Sequence, residues 1–199
     1  DVEVQIGEIE NDIYTNKMFG LYFDGKSNDM IFANKEEANK NFYDTGKNES
    51  DIKAVTEYLD TGKKFVDMHA VSEKGSVSVM IKKEENIKDT DTYADRAVVG
   101  IKQGMERMGM EVETQKGSGE FIGETMPYVT VSATENGETM YQKIVFLKVG
   151  NSNFGQIYKW EYEWPNEESE SKKCKFGQVV LEGAFYVYHE DENENGREM

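Results

Sequence analysis

Residues 126–164 read MPYVTVSATENGETMYQKIVFLKVGNSNFGQIYKWEYEW, and this stretch decides the fold. Two alternating segments flank Asn136-Gly137. Both central positions of a type I′ turn need φ > 0, which Gly adopts freely and Asn tolerates. A second tight turn leads into a third strand, so the stretch predicts a β-meander. Its middle strand, through Ile144-Val145-Phe146-Leu147, is apolar on both faces, as a central strand must be when layers cover it above and below. The third strand differs. Tyr158, Trp160, Tyr162 and Trp164 line one face, and Lys159, Glu161 and Glu163 line the other.

Upstream, VEVQIGEIENDIYTN pairs two short runs around Asn11-Asp12 as an opening hairpin, and MFGLYFD sets Phe19, Leu21 and Phe23 on one face of a strand. Asn34, with Glu37 three residues on, has capping-box chemistry for a first helix bearing Ala38 and Phe42. A second helix from about Asp51 to Leu59 carries a stripe of Ile52, Val55 and Leu59. Lys64–Ser72 and Ser76–Glu84 form a hairpin, with Val66, Met68 and Ala70 sharing one face of the first arm and Val77, Val79 and Ile81 one face of the second. From Tyr93 to Met108 the period lengthens. Tyr93, Ala97, Ile101, Met105 and Met108 step by three or four, which predicts an amphipathic helix that Gly109 ends. Glu111–Thr125 reads as an edge ribbon broken by a Gly117-Ser118-Gly119 turn.

After Pro165, Asn166 has the chemistry to cap a last helix whose stripe is Phe176, Val180, Ala184 and Val187, while Val179–Tyr188 reads alternatively as a strand. The expected organisation is one domain over residues 1–189 and a solvated acidic tail over 190–199. The fold class is α+β: an antiparallel sheet of meander plus hairpins, with helices packed on both faces.

The 199 residues carry 39 Asp+Glu against 23 Lys+Arg, a formal charge of -16, which repels phosphate backbones and anionic lipid. Nucleic acid and a membrane surface are therefore disfavoured as partners. A mean hydropathy of -0.74 is offset by 11 Tyr, 10 Phe and 2 Trp, the large groups an ordered core needs. Cys174 is the only cysteine, so no internal disulfide and no thiolate zinc cluster can form. No apolar run is long enough to span a bilayer.

Tyr14, Asn16, Phe19, Gly20 and Phe23, in YTNKMFGLYF, together with the order of the later segments, resemble the PsbP-like fold family as found in small secreted or lipid-anchored proteins of Gram-positive gut bacteria. The resemblance spans roughly residues 6 to 187. It departs after Phe23, where DGKSNDMIF stands in place of the relatives' P-x-G-W turn. It implies an antiparallel sheet between helices, and binding rather than catalysis, because the family hosts non-enzymatic subunits and adaptors. It also implies an extracellular or cell-surface setting, either secreted or lipid-anchored through a residue upstream of Asp1; the expected partner is a protein or glycan at the cell surface, and the expected state a monomer.

Candidate chemistry is sparse. His69 and His189 lie far apart in sequence with no second ligand at helical spacing. Cys174 sits among Lys172, Lys173 and Lys175 without an obvious histidine. Asp89, Asp91 and Asp95 in DTDTYAD resemble part of a calcium loop but lack its glycine and terminal glutamate, so capping of the following helix by Thr90, Asp91 or Thr92 is the competing reading. No cofactor is implied. The row Tyr158, Trp160, Tyr162 and Trp164 is the candidate ligand platform, since flat aromatic faces stack on sugars or apolar side chains; a covering helix is the simpler use of it. Two functions remain: a non-catalytic extracytoplasmic binding module, or a small hydrolase or metal-dependent enzyme working through Asp and Glu.

Overall fold

The computed structural model describes residues 3–43, 52–73, 75–84, 88–121, 124–150, 153–163, 185–187 and 197–198. The chain is α+β with antiparallel pairing throughout. A first hairpin joins β1 (Glu8–Glu10) to β2 (Ile13–Asn16), and its turn residues Asn11 and Asp12 have φ of 52 and 62. β3 (Leu21–Asp24) pairs with β2, and a short 3₁₀ turn (Lys26–Asn28) leads to β4 (Ile31–Phe32). Then come α1 (Lys35–Tyr43), α2 (Ile52–Leu59), β5 (Phe65–Ser72), β6 (Gly75–Lys83), α3 (Thr90–Arg107) and β7 (Glu111–Phe121). The meander is β8 (Glu124–Glu135), β9 (Glu138–Val149) and β10 (Asn153–Glu163); β11 (Phe185–Val187) and β12 (Arg197–Glu198) close the order.

The large sheet runs β4-β5-β6-β10-β9-β8-β7 and the small one β1-β2-β3-β11-β12. The type I′ turn at Asn136-Gly137 has φ of 53 and 84, as its chemistry requires. β9 is the doubly covered strand. Ile144 and Phe146 pack with Tyr93 and Ala94 of α3 and with Ala38 of α1, and the Tyr93 and Phe146 rings meet edge to face at 5.1 Å. Val145 and Leu147 point the other way, into a cluster with Tyr14, Leu21 and Phe23 of the small sheet and Val55 and Leu59 of α2. The second face thus packs against the strands of the small sheet.

Several expectations change. Gly117-Ser118-Gly119 is not a turn: β7 runs straight through it, pairing Gly117 with Tyr128 and Gly119 with Met126. The glycines are there for space, because a Cβ on Gly117 would run into the Tyr128 ring, whose own cation partner is the Lys143 ammonium at 4.4 Å. Val66 does not share a face with Met68 and Ala70. A register shift between Val66 and Met68 makes Asp67 an extra residue, so Val66 joins the α3-side cluster while Met68 and Ala70 join the other. Ile52 and Met108, expected on buried stripes, are exposed. Phe185–Val187 is a strand beside β3, not the end of a helix; the rest of the expected last helix, with Cys174 and His189, lies outside the described residues. Within the expected tail, Arg197 pairs with Val187 and Glu198 with Tyr186.

Capping follows the sequence more closely. The Asn34 side chain accepts from Glu37 N–H at 3.0 Å, and Gly109, with φ of 88, closes α3. We expect Gly117→Ala to lower stability by about 1–3 kcal/mol through overpacking. Gly119→Ala should cost less, since its nearest contact, Tyr128 Cε1, would be 3.3 Å away. Urea midpoints of the two variants compare them directly.

Candidate binding groove over a buried carboxylate

Asp67 is the charged residue that the bulge turns inward, and it is completely buried. Such a charge is tolerated only when paired and hydrogen-bonded. The Gly7 N–H donates to both of its oxygens at 2.9 Å. Tyr14 donates its hydroxyl at 2.5 Å and Asn16 its amide at 2.8 Å, while the Lys35 ammonium sits 3.3 Å away. These four partners come from three pieces of chain: the segment before β1, β2, which supplies both Tyr14 and Asn16, and the first turn of α1. Lys35 also donates to the Gly7 carbonyl at 2.9 Å. The Asn16 side-chain oxygen accepts from Phe19 N–H at 3.0 Å, which fixes the turn into β3.

Gly7 has to be glycine, since a Cβ there would lie 2.6 Å from Asp67 Oδ2 and 2.8 Å from the Thr15 carbonyl. Asn39, one turn after Lys35, completes the arrangement. Its amide takes the place of a strand beside the bulge, accepting from Val66 N–H at 2.7 Å and donating to the Val66 carbonyl at 2.8 Å. Burial first, then the Asp67 charge and hydrogen bond, hold the Tyr14 phenol well above its ordinary 10.0.

Above this network the chain forms a groove of about 970 Å³, walled by residues 4–10 on one side and 32–35 on the other, with Ile52 at its end. Gly7 and Lys35 form its floor where the two walls are tied together. Ile9 and Ile52 present apolar surface there, and Glu8 and Glu10 are exposed. A smaller recess of about 440 Å³ lies at the start of α3, beside Asp89 and Lys148.

The residues singled out from sequence are dispersed. Positions 158, 160 and 162 lie in β10, in register with Ile144, Gln142 and Met140 of β9; Trp164 lies outside the described residues. Asp89 is the N-cap of α3 and accepts from Thr92 N–H at 2.7 Å, so the cap lies just before Thr90, Asp91 and Thr92, the three residues expected for it. Asp91 and Asp95 converge on the Lys116 ammonium, at 2.7 and 2.8 Å, an amine held where a cation would bridge them. Among the described residues no group of three or more His, Cys, Asp or Glu is arranged to hold a metal ion. The His69 ring nitrogen Nδ1 lies 2.6 Å from the Ser78 hydroxyl, and burial lowers its pKa. Lys64 is pushed down to about 8 by burial and by Lys82.

Half of the Asp67 network is legible in the sequence: Tyr14 and Asn16 belong to the YTNKMFGLYF motif, which gives no sign of their partner. An aspartate in the middle of an otherwise apolar strand was the available signal. The octapeptide GLYFDGKS, residues 20–27, also has the letters of a phosphate loop. Here Leu21–Asp24 is paired strand, and the Ser27 hydroxyl donates to Asp24 at 2.7 Å. Only the three-residue 3₁₀ turn Lys26–Asn28 follows, and then β4, so no α-helix N-terminus stands there to present amides to a phosphate.

No family model matches the chain, and no curated protein matches it. No helix among the described residues is long and apolar enough to cross a membrane.

Asp67→Ala strands a buried ammonium and a buried N–H, and we expect it to cost about 3–5 kcal/mol in chemical denaturation. The raised Tyr14 pKa adds a pH signature. The folded phenol keeps a proton that the unfolded chain releases, so its contribution is complete below about pH 10 and is lost as pH rises toward the folded value. Stability should fall above pH 10 by up to about 1.4 kcal/mol per unit from this group, and Tyr14→Phe should remove that share.

Proposed function

We propose that this chain is a non-catalytic extracytoplasmic binding module of a bacterial cell envelope, and that the groove between residues 4–10 and 32–35 is where it takes its ligand. The carrying observation is the state of Asp67. It lies beneath the groove, and its carboxylate accepts from Gly7, Tyr14, Asn16 and Lys35 together. A carboxylate with its lone pairs so engaged is a fastener for the groove wall; it has none to spare for taking a substrate proton. In this reading the chain is a PsbP-like domain with helices on both faces of its large sheet. It acts as a monomer at the cell surface, secreted or lipid-anchored upstream of Asp1, with a protein or glycan partner.

The test sets binding against turnover. Immobilised chain is offered an envelope glycan array and envelope peptides, and in parallel a panel of ester, peptide, glycoside and phosphate substrates with and without divalent metal. Saturable binding that Ile9→Asp abolishes, with no turnover, is the expected result. Metal-dependent turnover that Asp91→Asn or Asp95→Asn removes would establish the alternative, a small hydrolase or metal-dependent enzyme.

A further inference from the structure

The groove is bounded by strand edges from two different sheets. β1 ends the small sheet, and its ladder to β2 pairs Glu8 with Thr15, Ile9 with Tyr14 and Glu10 with Ile13. A two-residue turn makes Glu10/Ile13, and hence Glu8/Thr15, the hydrogen-bonded pairs, so the Ile9 N–H and C=O point away from β2. Gly7 is the next outward-facing residue, and its N–H and C=O are already taken by Asp67 and Lys35. On the facing wall, β4 ends the large sheet. Ala33 N–H donates inward to the His69 carbonyl at 2.8 Å, which turns the Phe32 N–H and C=O outward. The groove therefore offers main-chain donors and acceptors at Ile9 and Phe32, on either side of a partly apolar trough.

Its charge is one-sided. Glu8 and Glu10 are exposed on either side of Ile9, and the lysine in the lining, Lys35, is tied to Asp67. The chain as a whole carries -16. We propose that the groove takes an extended cationic peptide segment, added as a strand along the outer edge of β1. In such a segment Lys or Arg residues meet Glu8 and Glu10, and the alternate apolar residues lie toward Ile9 and Phe32. This deepens the binding reading above and rests on it. A second copy of the chain is a poorer occupant, because edge-to-edge pairing about Ile9 sets Glu8 and Glu10 against each other's acidic partners.

The experiment is calorimetric titration of the full chain with a peptide alternating Lys and Val over seven residues. Two control peptides accompany it: the Glu/Val counterpart, and a Lys/Val peptide N-methylated at its central amide. Saturable one-to-one binding of the Lys/Val peptide is expected, with none of the Glu/Val peptide. Loss of binding on N-methylation is expected too, as is weakening by about tenfold in a Glu8→Lys, Glu10→Lys double variant. Those positions are exposed, so the variant should fold, and circular dichroism checks it. Equal affinity for the N-methylated peptide, or for the double variant, would overturn the proposal in favour of diffuse attraction to an acidic protein. A dimer in sedimentation that Ile9→Pro dissociates would overturn it in favour of self-pairing. If the Lys/Val peptide fails while an envelope glycan still binds and is lost in Ile9→Asp, the peptide assignment falls and the binding reading stands; if both fail, both fall.

Discussion

A single buried carboxylate holds three separately folded pieces in place. Asp67 is placed inward by one extra residue in β5, and it then collects Gly7, Tyr14, Asn16 and Lys35. The desolvation cost of a carboxylate in an apolar core is several kcal/mol, and its attraction to Lys35 alone would not offset it. The additional hydrogen bonds change the balance. Because they come from the N-terminal segment, β2 and α1, the same bonds that stabilise the charge also fix where the small sheet and the first helix sit on the large sheet. An apolar residue of similar size at position 67 would fill the space but would leave the Gly7 N–H without an acceptor and the Lys35 ammonium, with only the Gly7 carbonyl to accept from it, without a counter-ion.

Elements governed by local rules were legible in the sequence. The Asn136-Gly137 and Asn11-Asp12 turns need positive φ and have it, and the doubly apolar Ile144–Leu147 segment is buried on both faces. The period of α3 and its glycine stop were likewise readable. What failed depended on partners distant in sequence. Gly117 and Gly119 look like turn residues until Tyr128 is placed across from them, whereupon they are a seat for its ring. Val66 looks like a neighbour of Met68 until the bulge is known, and a bulge has no strict one-residue signature. The candidate site was half legible. Tyr14 and Asn16 stood out, and Asp67 did not, because a lone acidic residue in a strand reads equally well as a solvent-facing one.

Acidic side chains in this protein serve different ends by position. Asp67 fastens the interior; Asp89 caps α3; Asp91 and Asp95 hold Lys116 of β7 against that helix; Glu8 and Glu10 stay in water beside the groove. The exposed pairs contribute little individually and are weakened by salt. Net charge therefore says little about stability here, which rests on the two apolar clusters and on the burial of Asp67 between the pieces it ties together.

The place of β3 bears on how the chain reaches this state. It lies between β2, its immediate predecessor, and β11, which follows almost at the other end of the chain, with Phe23 opposite Phe185. The opening hairpin can form early from local contacts, but its sheet stays incomplete until Phe185–Val187 has been made. Closing so long a loop is slow, and in the interval β3 carries an unpaired edge beside the apolar side chains of Leu21 and Phe23. During synthesis such a chain passes through a stage in which the opening hairpin can be formed while β3 is still open on that side, and an open apolar edge of this kind is prone to wrong pairing.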